Sequence, residues 1–292
     1  MQKKYSFTII GGDLRFVHLA KLLLDESFVV NTIGFDKNTE QSIQLINQND
    51  INYAIKNSDI IILPLPFSTD EITINAPLSN NTIYLKDIYE NILPHQLVLG
   101  GRLNEKAYNE AGRHGFKIID YFEREELAVL NAIPTAEGAL QIAMEELPIT
   151  IHNSNCLITG FGRISKLLAK NLSSLGAKVT ICARKHSDIA WTKVYSYNST
   201  NFLNFNEVLN KFDIIFNTVP SLIFSEKELL NIKDETLIID LASKPGGVDL
   251  ICAGKLSKKV IWALSLPGKV APFTSGEIIK ETIMNMISEE VT

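Results

Sequence analysis

The residues best suited to chemistry begin with Gly160-Phe161-Gly162, followed by Arg163 and Ile164. Glycines one residue apart let backbone come close to a pyrophosphate, where Cβ atoms would block the approach. A helix starting here adds its N-terminal N–H groups and the positive end of its dipole. Ser165 stands where the usual third glycine would be, and it is small enough to keep helix and strand close. The alternative is a tight structural turn. About twenty residues on, at the expected end of the next strand, comes Ala183-Arg184-Lys185. An NAD site usually carries Asp or Glu there, accepting from the ribose 2′-OH. Two cations instead suit a 2′-phosphate, which arginine binds through a two-pronged fork. NADP is therefore expected, with NAD possible. Read otherwise, the pair is solvated strand-end charge.

Three further loops follow apolar runs: Val219-Pro220-Ser221, Ala242-Ser243-Lys244-Pro245-Gly246-Gly247 and Pro267-Gly268-Lys269-Val270-Ala271-Pro272. At successive strand ends they would all face one crevice. Thr218, Pro220, Ala242 and Pro267 therefore join Gly160, Gly162, Arg163, Ile164, Arg184 and Lys185 as candidate cofactor contacts. Near the start, Gly11-Gly12-Asp13-Leu14-Arg15 also precedes a helix. A carboxylate at that position repels a pyrophosphate and reads better as an N-cap. Arg15 opposes the helix dipole unless an anion holds it, either a substrate carboxylate or a local one such as Asp13; the alternative is a solvent-facing arginine.

Elements able to position these residues are legible on both sides. Cys156 to Thr159 reads as a strand, Ile164, Leu167, Leu168 and Leu172 as one helix face, and Lys178 to Ala183 as a second strand. Together they make a βαβ unit. Strands continue at 213–218, 236–241 and 260–266. The first 130 residues alternate apolar runs at 5–10, 28–35, 59–65, 82–85, 96–99 and 117–122 with helical segments or loops. Such alternation implies parallel sheets. The expected fold is α/β, with two doubly wound parallel-sheet domains, the second a Rossmann dinucleotide-binding domain. The first covers 1–132, is flavodoxin-like, serves the substrate and is completed by a helix at 275–292; the second covers 133–274. Residues 131–148 form a connecting helix with Pro134 in its first turn, and Thr135 and Glu137 point towards the cleft. The domains are expected to close over ligand about residues 131–134 and 274.

Composition limits the alternatives. The chain has 292 residues, 46% hydrophobic and 21% charged, with net charge −5. That balance expects a packed core and argues against nucleic acid as a partner. No membrane span or signal peptide is expected, and the location is read as cytoplasmic. Cys156, Cys182 and Cys252 are isolated, and His18, His95, His114, His152 and His186 show no ligand spacing, so no metal is expected.

The chain resembles the family of bacterial dipicolinate synthase A subunits along nearly its whole length. The resemblance rests on 9–15 (IIGGDLR), 34–36 (GFD), 121–138 (YFEREELAVLNAIPTAEG), 160–163 (GFGR), 182–184 (CAR), 217–221 (NTVPS), 241–249 (LASKPGGVD) and 266–278 (LPGKVAPFTSGEI). It implies NAD(P)-dependent oxidation of a dihydrodipicolinate-type intermediate to pyridine-2,6-dicarboxylate during sporulation. A flavoprotein-like B subunit is implied with it, as is a mother-cell cytoplasm, and a homo-oligomer is expected. A dicarboxylate calls for cations; Arg15, Lys86, Arg102, Arg124 and Lys244 are the candidates, with Thr135 as a further substrate contact. Lys244 and Glu137 are the candidate proton acceptors. Two other functions remain open. One is a 2-hydroxyacid or amino-acid dehydrogenase, which would want a histidine at a late strand-end loop. The other is a non-catalytic nucleotide-binding subunit of a flavoprotein complex.

Overall fold

The computed structural model describes residues 5–37 and 50–291 and divides into two compact units, 1–131 with 271–292 and 132–270. The first unit runs β1 (Ser6–Ile10), α1 (Leu14–Asp25), β2 (Val29–Ile33), α2 (Ile51–Lys56), β3 (Ile60–Ile62), α3 (Leu85–Tyr89), β4 (Leu97–Gly100), α4 (Glu105–His114), β5 (Lys117–Asp120) and α5 (Glu125–Leu130). All pairings are parallel, in the order β2-β1-β3-β4-β5. This is the flavodoxin-type winding, whose switch point lies between β1 and β3. Alternation of side chains along buried strands feeds two cores. Phe7, Ile9, Ile60 and Ile62 face one layer, while Ile10, Ile61, Leu63 and Val98 face the other.

The second unit runs α6 (Ala132–Glu146), β6 (Asn155–Thr159), α7 (Arg163–Ser174), β7 (Lys178–Cys182), α8 (His186–Val194), β8 (Asn198–Thr200), β9 (Ile214–Asn217), α9 (Glu226–Leu229), β10 (Leu237–Asp240), α10 (Leu250–Lys255), β11 (Lys259–Trp262) and α11 (Leu266–Val270). Its six strands are parallel in the order β11-β10-β9-β6-β7-β8. That is the Rossmann order, reversing between β6 and β9. Cys156, Ile158, Phe216 and Ile239 pack under α6 and α7, and Leu157, Ile215 and Ile238 pack on the opposite face. The last helix, α12 (Pro272–Val291), returns to the first unit against α1. Gly276 permits that contact, because a Cβ there would lie 2.7 Å from the Arg15 carbonyl oxygen.

Four expectations change. Residues 82–85 do not form a strand. Tyr84 makes one isolated bridge to Thr73, Ile83 packs beneath Gly34, and Leu85 begins α3. Residues 198–200 add an edge strand of polar, mostly exposed side chains, which carries no apolar signal. Residues 266–270 are helical rather than loop, and Leu266 and Val270 pack on Gly138 of α6. Finally, residues 125–146 do reach the length and hydropathy of a membrane span, at a mean of 1.2. Within that stretch 44% of the most apolar window is buried, and α6 gives Ala136, Ala139 and Ala143 to the core of the second unit. Core burial accounts for its apolar character.

Candidate dinucleotide and anion sites

In a sheet of this strand order ligands bind outside the carboxyl ends of the strands where the order reverses, here β6 and β9. The 160–162 turn follows β6. Gly160 has φ +89, in the left-handed region, and a Cβ there would lie 2.6 Å from Thr218 Oγ1. Only glycine meets both demands cheaply. Gly162 differs. It sits at the N-cap of α7 with φ −87, and a Cβ there would meet nothing within 4 Å. It opens onto free space at the end of a 12-residue helix that no side chain of the described residues caps. First-turn amides have no acceptor inside a helix and are the groups such an end can offer to an anion. Phe161 points away into packing, 6.4 Å from the Tyr195 ring, with Lys166 Nζ 5.7 Å over it.

Arg184 and Lys185 lie exposed just beyond β7, and Lys185 is the N-cap of α8. Thr218 and Pro220 follow β9. Ala242 is buried after β10, whereas Lys244 is exposed on the same loop and makes no ion pair among the described residues. Asp249, one local carboxylate near Lys244 in sequence, instead caps α10 through the amides of Ile251 and Cys252. Pro267 lies in α11, so it is presented by a helix rather than by the expected loop. Thr135 and Glu137 lie in the first turns of α6, with Glu137 exposed.

Sequence reading passed over the residues that hold these loops. Thr159, Asn217 and Asp240 end β6, β9 and β10 in register. Asn217 Oδ1 accepts from Thr159 Oγ1 at 2.6 Å and from Val219 N at 3.1 Å. Its Nδ2 donates to Asp240 Oδ1 at 2.7 Å and to Val219 O at 3.0 Å. Asp240 in turn accepts from Ala242 N and Gly247 N, at 3.0 and 2.7 Å, and Trp262 Nε1 donates to Ala242 O at 2.9 Å. The available signal was a polar residue closing each apolar run: LIT, IIFN, LIID.

In the first unit, Asp13 caps α1 by accepting from Arg15 N, as expected from its position. The buried Arg15 guanidinium donates to both Asp13 oxygens and, at 2.6 Å, to Leu65 O. Arg102 stands across β3, just after β4, exposed and with φ +59. Buried Asp120 fixes that turn by accepting from Arg102 N and Leu103 N at 3.0 and 2.6 Å. Gly101 closes it over Tyr121, whose hydroxyl donates to Leu63 O. Arg124 does not fit its expected role as a substrate-binding cation. Glu289 and Glu126 occupy its guanidinium at 2.6–2.7 Å, and their hydrogen bonds push its pKa up. Lys86, exposed, lies 3.6 Å from Glu90 one turn on in the sequence.

A Rossmann sheet with this turn defines an NAD-binding, dehydrogenase-type domain, which follows a flavodoxin-type one in the sequence. Comparison agrees: residues 133–244 match the NAD binding domain of D-isomer specific 2-hydroxyacid dehydrogenases, and residues 6–122 match the N-terminal domain of the dipicolinate synthase A subunit. The A subunit of dipicolinate synthase from Bacillus subtilis strain 168 is 31% identical over 282 residues, 96% of this chain and 95% of that one. The chain belongs to the family of dipicolinate synthase A subunits. The crystal structure of the Bacillus subtilis A subunit superposes with a TM-score of 0.87 at 30% identity, covering 99% of this chain and 97% of that one. The A subunit from Bacillus halodurans gives 0.88 at 28%, covering 98% of each. A transhydrogenase from Sinorhizobium meliloti shares the fold, at 14% identity, a TM-score of 0.72, and coverage of 98% and 94%.

Proposed function

We propose that this chain oxidises a dihydrodipicolinate-type intermediate to pyridine-2,6-dicarboxylate, with NADP as hydride acceptor, in a complex with a second, flavoprotein-like subunit. The cytoplasm of a sporulating cell is the corresponding setting. The observation that carries this reading is the pairing of an uncapped, glycine-opened helix end in a Rossmann unit with family membership along the whole chain. When bound, the dinucleotide supplies the hydride acceptor. The protein's own residues do the rest. The α7 terminus and the 160–162 backbone hold the pyrophosphate, and Arg184 and Lys185 take the 2′-phosphate.

For the dicarboxylate we propose Arg15 and Arg102, which flank β3 at the carboxyl edge of the first sheet. Asp13 balances the charge of Arg15 and, with Leu65, takes its Nε and Nη2, so Arg15 offers a pre-positioned donor at Nη1 rather than a free charge. Arg102 brings a positive charge that no carboxylate of the described residues neutralises. Thr135 is a further contact. Forming the aromatic ring also releases a proton, which Lys244 accepts, with Glu137 as the other candidate. Titration of dipicolinate tests this reading. Arg102→Met and Lys244→Met should leave NADP affinity within about twofold; Arg102→Met should weaken dipicolinate binding about tenfold or more. Unchanged dipicolinate affinity in Arg102→Met removes the anion site from this edge.

A further inference from the structure

Asp240 is the odd member of the polar row at the ends of β6, β9 and β10. It is 1% exposed, and its partners are Asn217 Nδ2 and the amides of Ala242 and Gly247. No cation pairs with it among the described residues. Neutral donors spread a full negative charge without cancelling it. Three donors converge on its two oxygens, which a carboxylate can accept on both sides and an amide, with one oxygen and one NH2, cannot; burying the charge is still costly. Loop anchoring thus uses both oxygens but leaves the charge itself without a cation among the described residues.

Its place in the sheet suggests a reason. Strand order reverses between β6 and β9, so a dinucleotide lies across that point. The adenosine ribose belongs at the end of β7, which leaves the nicotinamide half over β9 and β10. Asp240 closes β10 under that half. We propose that Asp240 biases the site towards the oxidised form of the dinucleotide. The oxidised nicotinamide ring carries one positive charge; accepting a hydride, a proton with two electrons, leaves it neutral. A fixed anion beneath the ring stabilises the first form and does little for the second. A buried, unpaired charge at this end of the site is expected to shift the ratio of affinities by about tenfold. The bias loads the acceptor and helps to release the spent cofactor. The inference deepens the proposed function and rests on its placing of the dinucleotide.

The experiment uses the full chain and isothermal titration with NADP, NADPH and a fragment lacking nicotinamide, 2′-phospho-ADP-ribose. In the unmutated protein NADP should bind at least as tightly as NADPH. In Asp240→Asn the Kd ratio of NADP to NADPH should rise about tenfold, with the fragment unchanged. A ratio unmoved by Asp240→Asn overturns the proposal, as does a tenfold preference for NADPH in the unmutated protein, which needs no variant to fold. No binding of any of the three would refute the dinucleotide site itself, a different failure from binding with the wrong ratio.

Discussion

Ser165 Oγ lies 2.8 Å from Thr218 Oγ1, joining the first turn of α7 to the end of β9. Thr218 donates its own hydroxyl hydrogen to Thr159 O at 2.8 Å, so Ser165 is the donor in the pair. The same Thr218 oxygen fills the space where Gly160 lacks a side chain. The departure from the glycine fingerprint at 165 is thus a substitution with a partner. Ser165→Ala should cost about 1 kcal/mol in chemical unfolding, and Thr218→Val more, since it also strips Thr159 O. Equal stability of Ser165→Ala and the parent would show that the pair contributes nothing.

The two glycines of the turn should separate folding from binding. Gly162→Ala meets open space in ordinary backbone geometry, so thermal unfolding should move little while dinucleotide affinity falls about tenfold or more. Gly160→Ala forces a side chain into the left-handed region and against Thr218, and should cost about 2 kcal/mol of stability. Loss of stability in Gly162→Ala with unchanged binding would reverse these assignments.

Cofactor choice follows from the strand-end cations. Arg184→Asp removes a phosphate partner and adds like charge, worth about 2 kcal/mol or roughly thirtyfold against NADP. NAD should then bind more tightly than NADP. Equal affinity of the unmutated protein for both would contradict the role given to Arg184 and Lys185.

Acid stability has a visible contributor at the other end of the second sheet. Burial works against the charge of Asp213, but Asn155 N at 2.8 Å and Lys233 Nζ at 3.2 Å outweigh it and hold the carboxyl below its ordinary value. A folded-state value below the unfolded one gives stability that is present above the unfolded pKa and lost as pH falls towards the folded one. Asp213→Asn should therefore be less stable than the parent at neutral pH, with the gap narrowing below about pH 4. A gap that does not change between neutral and acid pH would rule this out.

What could be read in advance followed from side-chain periodicity. Runs such as FTII, CLIT and LIID bury both faces and declare themselves as central strands, and the glycine turn announces its helix. Asn198–Thr200 could not, because an exposed edge strand needs no apolar residues. Thr82–Leu85 misled for the opposite reason, having the composition of a strand while covering Gly34 from outside the sheet. Site residues split the same way. Gly160 and Gly162 were legible because backbone geometry demands them. Asp240 and Asn217 were not, since their function depends on partners 23 positions apart in sequence that only strand register brings together. Arg124 looked available until its two carboxylates, one of them 165 positions away, were in view.

The most direct test of the account is to follow product and cofactor together. The purified chain, alone and with its second subunit, is given a dihydrodipicolinate-type substrate and NADP. The account predicts one reduced nicotinamide for each dipicolinate formed, with both falling together in Gly162→Ala at limiting NADP. Dipicolinate appearing while NADP remains oxidised, or forming at the same rate without any dinucleotide, would contradict it.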